Sequence, residues 1–135
     1  MATSTKAKLS TLSYVIVYVK DAEKATHFYR DLLGMKVKVD APGWVELDTG
    51  STTLALHGIE NPPAKPKEGM PDLVFEVEDV FQAVEELKKA GVKFNNEPHQ
   101  VCEDGDKVGF SAGFNDYDGN TLSIFSYVKK SELNK

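Results

Sequence analysis

Two stretches of this sequence repeat one pattern, and that duplication restricts the fold more than any other feature. Tyr14-Val15-Ile16-Val17-Tyr18-Val19-Lys20-Asp21 aligns with Asp72-Leu73-Val74-Phe75-Glu76-Val77-Glu78-Asp79 at an offset of 58. The same shift lays Val19 on Val77, Asp21 on Asp79 and Ala25 on Ala83. Alternation at period two is the mark of a strand with two unlike faces. Each aspartate then stands where a helix needs an oxygen to accept its first free N–H groups. The first helical stretch places Ala25, Phe28, Tyr29, Leu32 and Leu33 on one face and stops at Gly34. The second places Val80, Ala83, Val84, Leu87 and Ala90 on one face and stops at Gly91. Glycine suits the left-handed residue that closes a helix.

The remainder of each unit also matches. Strands are expected over residues 36–39 and 92–94, straight after the helices. Residues 44–48 and 52–57, joined through Thr49-Gly50-Ser51, read as a hairpin. Residues 108–114 and 121–127, joined through Asp116-Tyr117-Asp118-Gly119-Asn120, read as its counterpart. Leu54-Ala55-Leu56-His57 lies on Leu122-Ser123-Ile124-Phe125 at an offset of 68. The order β-α-β-β-β, occurring twice, predicts an α+β fold of two βαβββ modules. These occupy about residues 12–58 and 71–128 of one domain, 11–129, with a Pro- and Lys-containing linker over 59–70. Residues 1–10 and 130–135 are expected to be tails.

Composition narrows the function. The chain has 135 residues, enough for one buried core, with 41% hydrophobic and 27% charged residues. Net charge is −5, and basic residues form no long cluster; short ones include Lys65 and Lys67 around Pro66. Nucleic acid is therefore not an expected partner, since neutralising phosphates needs a positive face. No apolar run is long enough for a membrane-spanning helix. Cys102 is the single cysteine, so no internal disulfide forms, and a reducing cytoplasm is the expected setting. Cys102 precedes Glu103-Asp104-Gly105-Asp106, which reads as a hairpin turn; it is too short for a calcium loop. The acidic surroundings make this cysteine a poor nucleophile. His27 falls mid-helix and His99 follows Pro98 in an expected loop; neither belongs to a motif.

The stretch Val17-Tyr18-Val19-Lys20-Asp21, followed by Phe28-Tyr29-Arg30-Asp31-Leu32-Leu33-Gly34-Met35, resembles the first-module signature of the glyoxalase / bleomycin-resistance / extradiol dioxygenase (vicinal oxygen chelate) superfamily. Asp118-Gly119-Asn120-Thr121-Leu122 resembles its closing Asp-Pro-Asp-Gly-Asn motif, with Tyr117 in place of proline. The resemblance implies curled mixed sheets around a ligand cavity, and homodimers are common in the family. Family enzymes hold a divalent metal there through His, Glu or Gln. Carried onto this sequence, the four ligand positions are Tyr14, Ala55, Asp72 and Ser123. Only Asp72 is a good donor for a hard cation, and a stable site needs three or four. The expectation is no metal and no cofactor. Metal-free relatives of the bleomycin-resistance type sequester a drug in a groove at the dimer interface.

Strand alternation then predicts which side chains share the cavity with those four positions: Ile16, Tyr18, Thr53, His57, Val74, Glu76, Thr121 and Phe125, with Trp44 and Glu46 from the first hairpin. Val15, Val17, Val19, Leu73, Phe75, Val77, Leu122 and Ile124 should face the helices. Tyr14, Tyr18, Trp44 and Phe125 offer stacking faces; Glu46, Asp72 and Glu76 offer negative charge; Ser123 offers a hydroxyl. Such a lining suits a flat or cationic organic ligand. The expected function is metal-free binding of a small molecule, of the drug-sequestering, antibiotic-resistance type. The alternative is a divalent-metal-dependent lyase or dioxygenase with ligands relocated to His57, Glu46, Asp72 and Glu76. His57 is then also the candidate general base.

Overall fold

The structure, a computed structural model, describes residues 11–63 and 71–133. The expected N-terminal tail and most of the linker, with its lysine cluster, lie outside the described residues. Two four-stranded mixed sheets account for the chain, and the duplication is exact at the level of topology. The first module runs β1 (Tyr14–Val19), α1 (Ala22–Thr26), β2 (Lys36–Ala41), β3 (Trp44–Thr49) and β4 (Thr52–Gly58). The second runs β5 (Leu73–Glu76), α2 (Val80–Ala90), β6 (His99–Asp104), β7 (Lys107–Asn115) and β8 (Thr121–Lys129). Sheet orders are β1-β4-β3-β2 and β5-β8-β7-β6, with β1–β4 and β5–β8 parallel and the other pairs antiparallel.

Both caps form as their residues dictate. Asp21 Oδ1 accepts the N–H groups of Glu23 and Lys24, and Asp79 Oδ1 accepts those of Phe81 and Gln82. Gly91 closes α2 in the left-handed region, at φ 109°. Replacing Asp79 by alanine leaves those two N–H groups without an acceptor side chain. It is expected to lower unfolding free energy by about 1 kcal/mol in a urea titration. The first helix departs from expectation. After Thr26 it widens into a π-helical turn over His27–Leu32, where the Leu33 N–H reaches back to the Phe28 carbonyl at 3.1 Å. The wider turn keeps both Phe28 and Tyr29 buried.

A second departure concerns the fourth strand of module two. Residues 92–94 are not that strand: Val92 is buried, and Phe94 makes only an isolated bridge to Phe114. The strand is β6, so His99 opens a strand instead of lying in a loop. Its polar, wholly exposed sequence carries no alternation to read. The Asp104–Lys107 turn that follows is the expected hairpin. Both outer strands carry a bulge, between Val37 and Val39 in β2 and between Gln100 and Cys102 in β6.

The helix-facing sides of both sheets merge into one core. Val17, Val19, Leu122 and Ile124 are buried in it, with Val15, Leu73, Phe75 and Val77 packed against it. Phe28 of the first module meets Phe114 of the second at 6.3 Å between ring centroids. The seam is closed by Asp116, 7% exposed, in the turn between β7 and β8. Its Oδ2 accepts the Tyr29 hydroxyl at 2.7 Å and the Asn120 amide at 2.7 Å; its Oδ1 accepts the N–H groups of Asp118 and Asn120. Burial, and then the Asp116 charge, push the Tyr29 phenol far above its ordinary range, so it remains a donor.

Candidate functional site

The opposite faces of the two sheets are where the expected site residues lie. On the first sheet, Tyr14 pairs with Thr53, Ile16 with Ala55, and both Tyr18 and Trp44 with His57. Glu46 is also opposite Ala55. Cross-strand partners share a face, so these side chains project together. On the second sheet, Val74 pairs with Ser123 and Glu76 with Phe125, on the side away from the core. Among the described residues nothing roofs either face: Tyr14 is 48% exposed, Tyr18 40% and Val74 57%. These side chains therefore lie on two open faces, one per module.

The first face is an aromatic ladder. Trp44 lies 6.5 Å from Tyr14 and 5.5 Å from His57, and His57 lies 5.5 Å from Tyr18, centroid to centroid. Glu46 fixes one end of it: Trp44 Nε1 donates to Glu46 Oε2 at 2.9 Å, and the Tyr14 hydroxyl stands 3.5 Å from both carboxylate oxygens. Glu46 is thus held in place by its neighbours. The second face carries Asp72, Glu76, Ser123 and Phe125. Phe125 packs edge-on to Tyr127 at 4.9 Å, and the Lys107 ammonium sits 4.6 Å from the Tyr127 ring centroid. Gly109 makes room for this cluster. A Cβ there would come 2.5 Å from Cys102 Sγ and 2.7 Å from the Phe125 ring. Negative charge at Cys102, and then burial, raise the Tyr127 phenol above its usual range. Tyr127 was not among the expected site residues, although the same period-two step from Phe125 reaches it.

The family metal positions fail as a donor set. Ser123 donates to Asp72 Oδ2 at 3.0 Å, which confirms that these two positions adjoin, but Ala55 contributes a methyl and Tyr14 points its phenol at Glu46. Among the described residues no three His, Cys, Asp or Glu side chains gather closely enough to hold a metal ion. The relocated candidates divide likewise, Glu46 and His57 on one sheet, Asp72 and Glu76 adjoining the other. Two or fewer hard donors on each face do not fit a resident divalent metal. His27 stays on the helix surface, 2.9 Å from Asp31. A wide cleft of about 1110 Å³ lies away from both faces, bordered by Lys24, His27, Gly58 and Tyr117. A cleft of about 750 Å³ lies between the inner edge strands, bordered by Val15, Leu54 and Leu73–Glu76. No helix among the described residues is long and apolar enough to cross a membrane.

Fold and sequence place the chain in a family. It belongs to the Glyoxalase/Bleomycin resistance protein/Dioxygenase superfamily, whose model matches residues 11–124. Uncharacterized protein YetH of Bacillus subtilis is 31% identical over 122 residues, covering 86% of this chain and 98% of the relative. The mitochondrial methylmalonyl-CoA epimerase of Mus musculus is 32% identical over 117 residues, covering 76% of this chain and 66% of the mouse protein. Among solved structures, TnmS3, an antibiotic binding protein from Streptomyces sp. CB03234, superposes with a TM-score of 0.70 at 26% identity, covering 87% of this chain and 96% of that one.

Proposed function

We propose that this protein binds a small, flat organic molecule without a resident metal, in the manner of a drug-sequestering protein. The observation that carries the reading is the solvent-facing ladder of Tyr14, Trp44, His57 and Tyr18, with Trp44 held by Glu46. Exposed aromatic rings on a rigid sheet lose little entropy on binding and gain stacking area. A cationic group on the ligand would find Glu76 and Asp72 on the other face. A homodimer in the cytoplasm suits this reading: a second copy covering each open face supplies the roof that one chain lacks. Likeness to an antibiotic binding protein supports the binding role, and a donor set too poor for a divalent ion supports the metal-free part.

Trp44 is the only tryptophan, so its fluorescence reports on this face alone. Titration with a panel of planar aromatic antibiotics, neutral and cationic, is expected to give a saturable shift or quench for at least one compound. The response should disappear in Tyr14→Ala together with His57→Ala. A flat response across the panel overturns the reading. Elemental analysis of protein purified without chelators tests the other half: stoichiometric Ni, Zn, Mn or Fe, lost on His57→Ala, replaces metal-free binding with a metalloenzyme.

A further inference from the structure

Strand β2 puts a positive charge onto the aromatic face. Val37 pairs with Leu47 and packs on the core, while Val39 pairs with Glu46 and faces outward. Lys38, between them, is the extra residue of the bulge. Alternation from Val37 already sends Lys38 to the open side; the bulge turns Val39, due for the core, outward beside it. From the outer strand, the Lys38 side chain crosses β3 and places its Nζ 3.0 Å from the Thr53 hydroxyl on β4. Thr53 is buried and pairs with Tyr14, so the ammonium arrives at the foot of the ladder.

This ammonium is under-used. Neither acid on this side of β3 pairs with it: Glu46 takes the Trp44 N–H, and Asp48 Oδ1 takes the Gly50 N–H at 3.0 Å. Among the described residues Lys38 makes no ion pair, and its single hydrogen-bond partner is a neutral hydroxyl. An ammonium has three donors and accepts nothing. Two of its three donors therefore have no protein acceptor among the described residues.

We infer that the ligand of this face carries an anionic acceptor, a carboxylate or phosphoryl group, attached to its flat part: Lys38 takes the anion while Trp44 and Tyr14 take the ring. The inference rests on the stacking reading above and adds the sign of the recognised charge on this face.

Calorimetric titration with three probes of equal ring size tests it: naphthalene-2-carboxylate, naphthalene-2-carboxamide and the naphthalen-2-ylmethylammonium cation. Wild-type protein is expected to bind the carboxylate about tenfold or more tightly than the amide, the usual advantage of a charge-assisted hydrogen bond. Lys38→Met keeps the aliphatic stem and should erase that preference, leaving amide binding unchanged; Lys38→Arg should retain it. Equal affinity for carboxylate and amide, a preference that survives Lys38→Met, or tightest binding of the ammonium probe overturns the inference while leaving the stacking reading intact. Failure of all three probes to bind overturns both.

Discussion

Phe114→Ala is expected to destabilise the protein by about 3–5 kcal/mol, the range for truncating a buried aromatic. Phe114 is 1% exposed and sits where the modules meet, with Phe28 at 6.3 Å and Phe94 at 5.1 Å between centroids. These neighbours come from a π-turn in module one and from an isolated bridge in module two. A natural domain has about 5–15 kcal/mol in total, so this one change removes a large share. Urea titration followed by circular dichroism measures it; a loss under about 1 kcal/mol would mean that the modules do not depend on one another's packing.

Asp116→Ala is expected to cost about 3 kcal/mol or more, by a different mechanism. Four donors converge on this carboxylate: the Tyr29 hydroxyl, the Asn120 amide and two backbone N–H groups. Alanine leaves them unsatisfied at a buried site, where each orphaned group costs about 1–3 kcal/mol before water and rearrangement offset part of it. Tyr29→Phe removes one donor and leaves three. Its expected cost is smaller, about 1.5–3 kcal/mol, as for a hydrogen bond to a charged group. Because the two side chains touch, their effects should not add, and the double mutant should lose less than the sum. Equal stability of Asp116→Ala and wild type would remove the carboxylate from the seam.

The modules were legible because each inner strand alternates. Val15, Val17 and Val19 are apolar without exception and went to the core, and Tyr14, Ile16 and Tyr18 between them went to the open face. The same arithmetic assigned Glu76 and Phe125 to the face they occupy. What alternation does not encode stayed hidden. Asp116 looks like one more polar residue in a turn, and only the Tyr29 hydroxyl arriving from the other module makes it a buried anchor. Strand β6 has no apolar side to betray it. The bulge hid the outward turn of Val39, and nothing in the sequence shows Lys38 reaching across β3 to Thr53. Nor does the sequence distinguish a free Glu46 from one already held by indole and phenol, or a closed pocket from an open face.

Both outermost strands carry a bulge. In β2 it lies among Lys36, Lys38 and Asp40, and in β6 it is followed by Glu103 and Asp104. A kinked, charged margin offers a poor template for another strand to zip onto. The aromatic sheet face is therefore bounded, on its β2 side, by an edge that disfavours strand-to-strand addition.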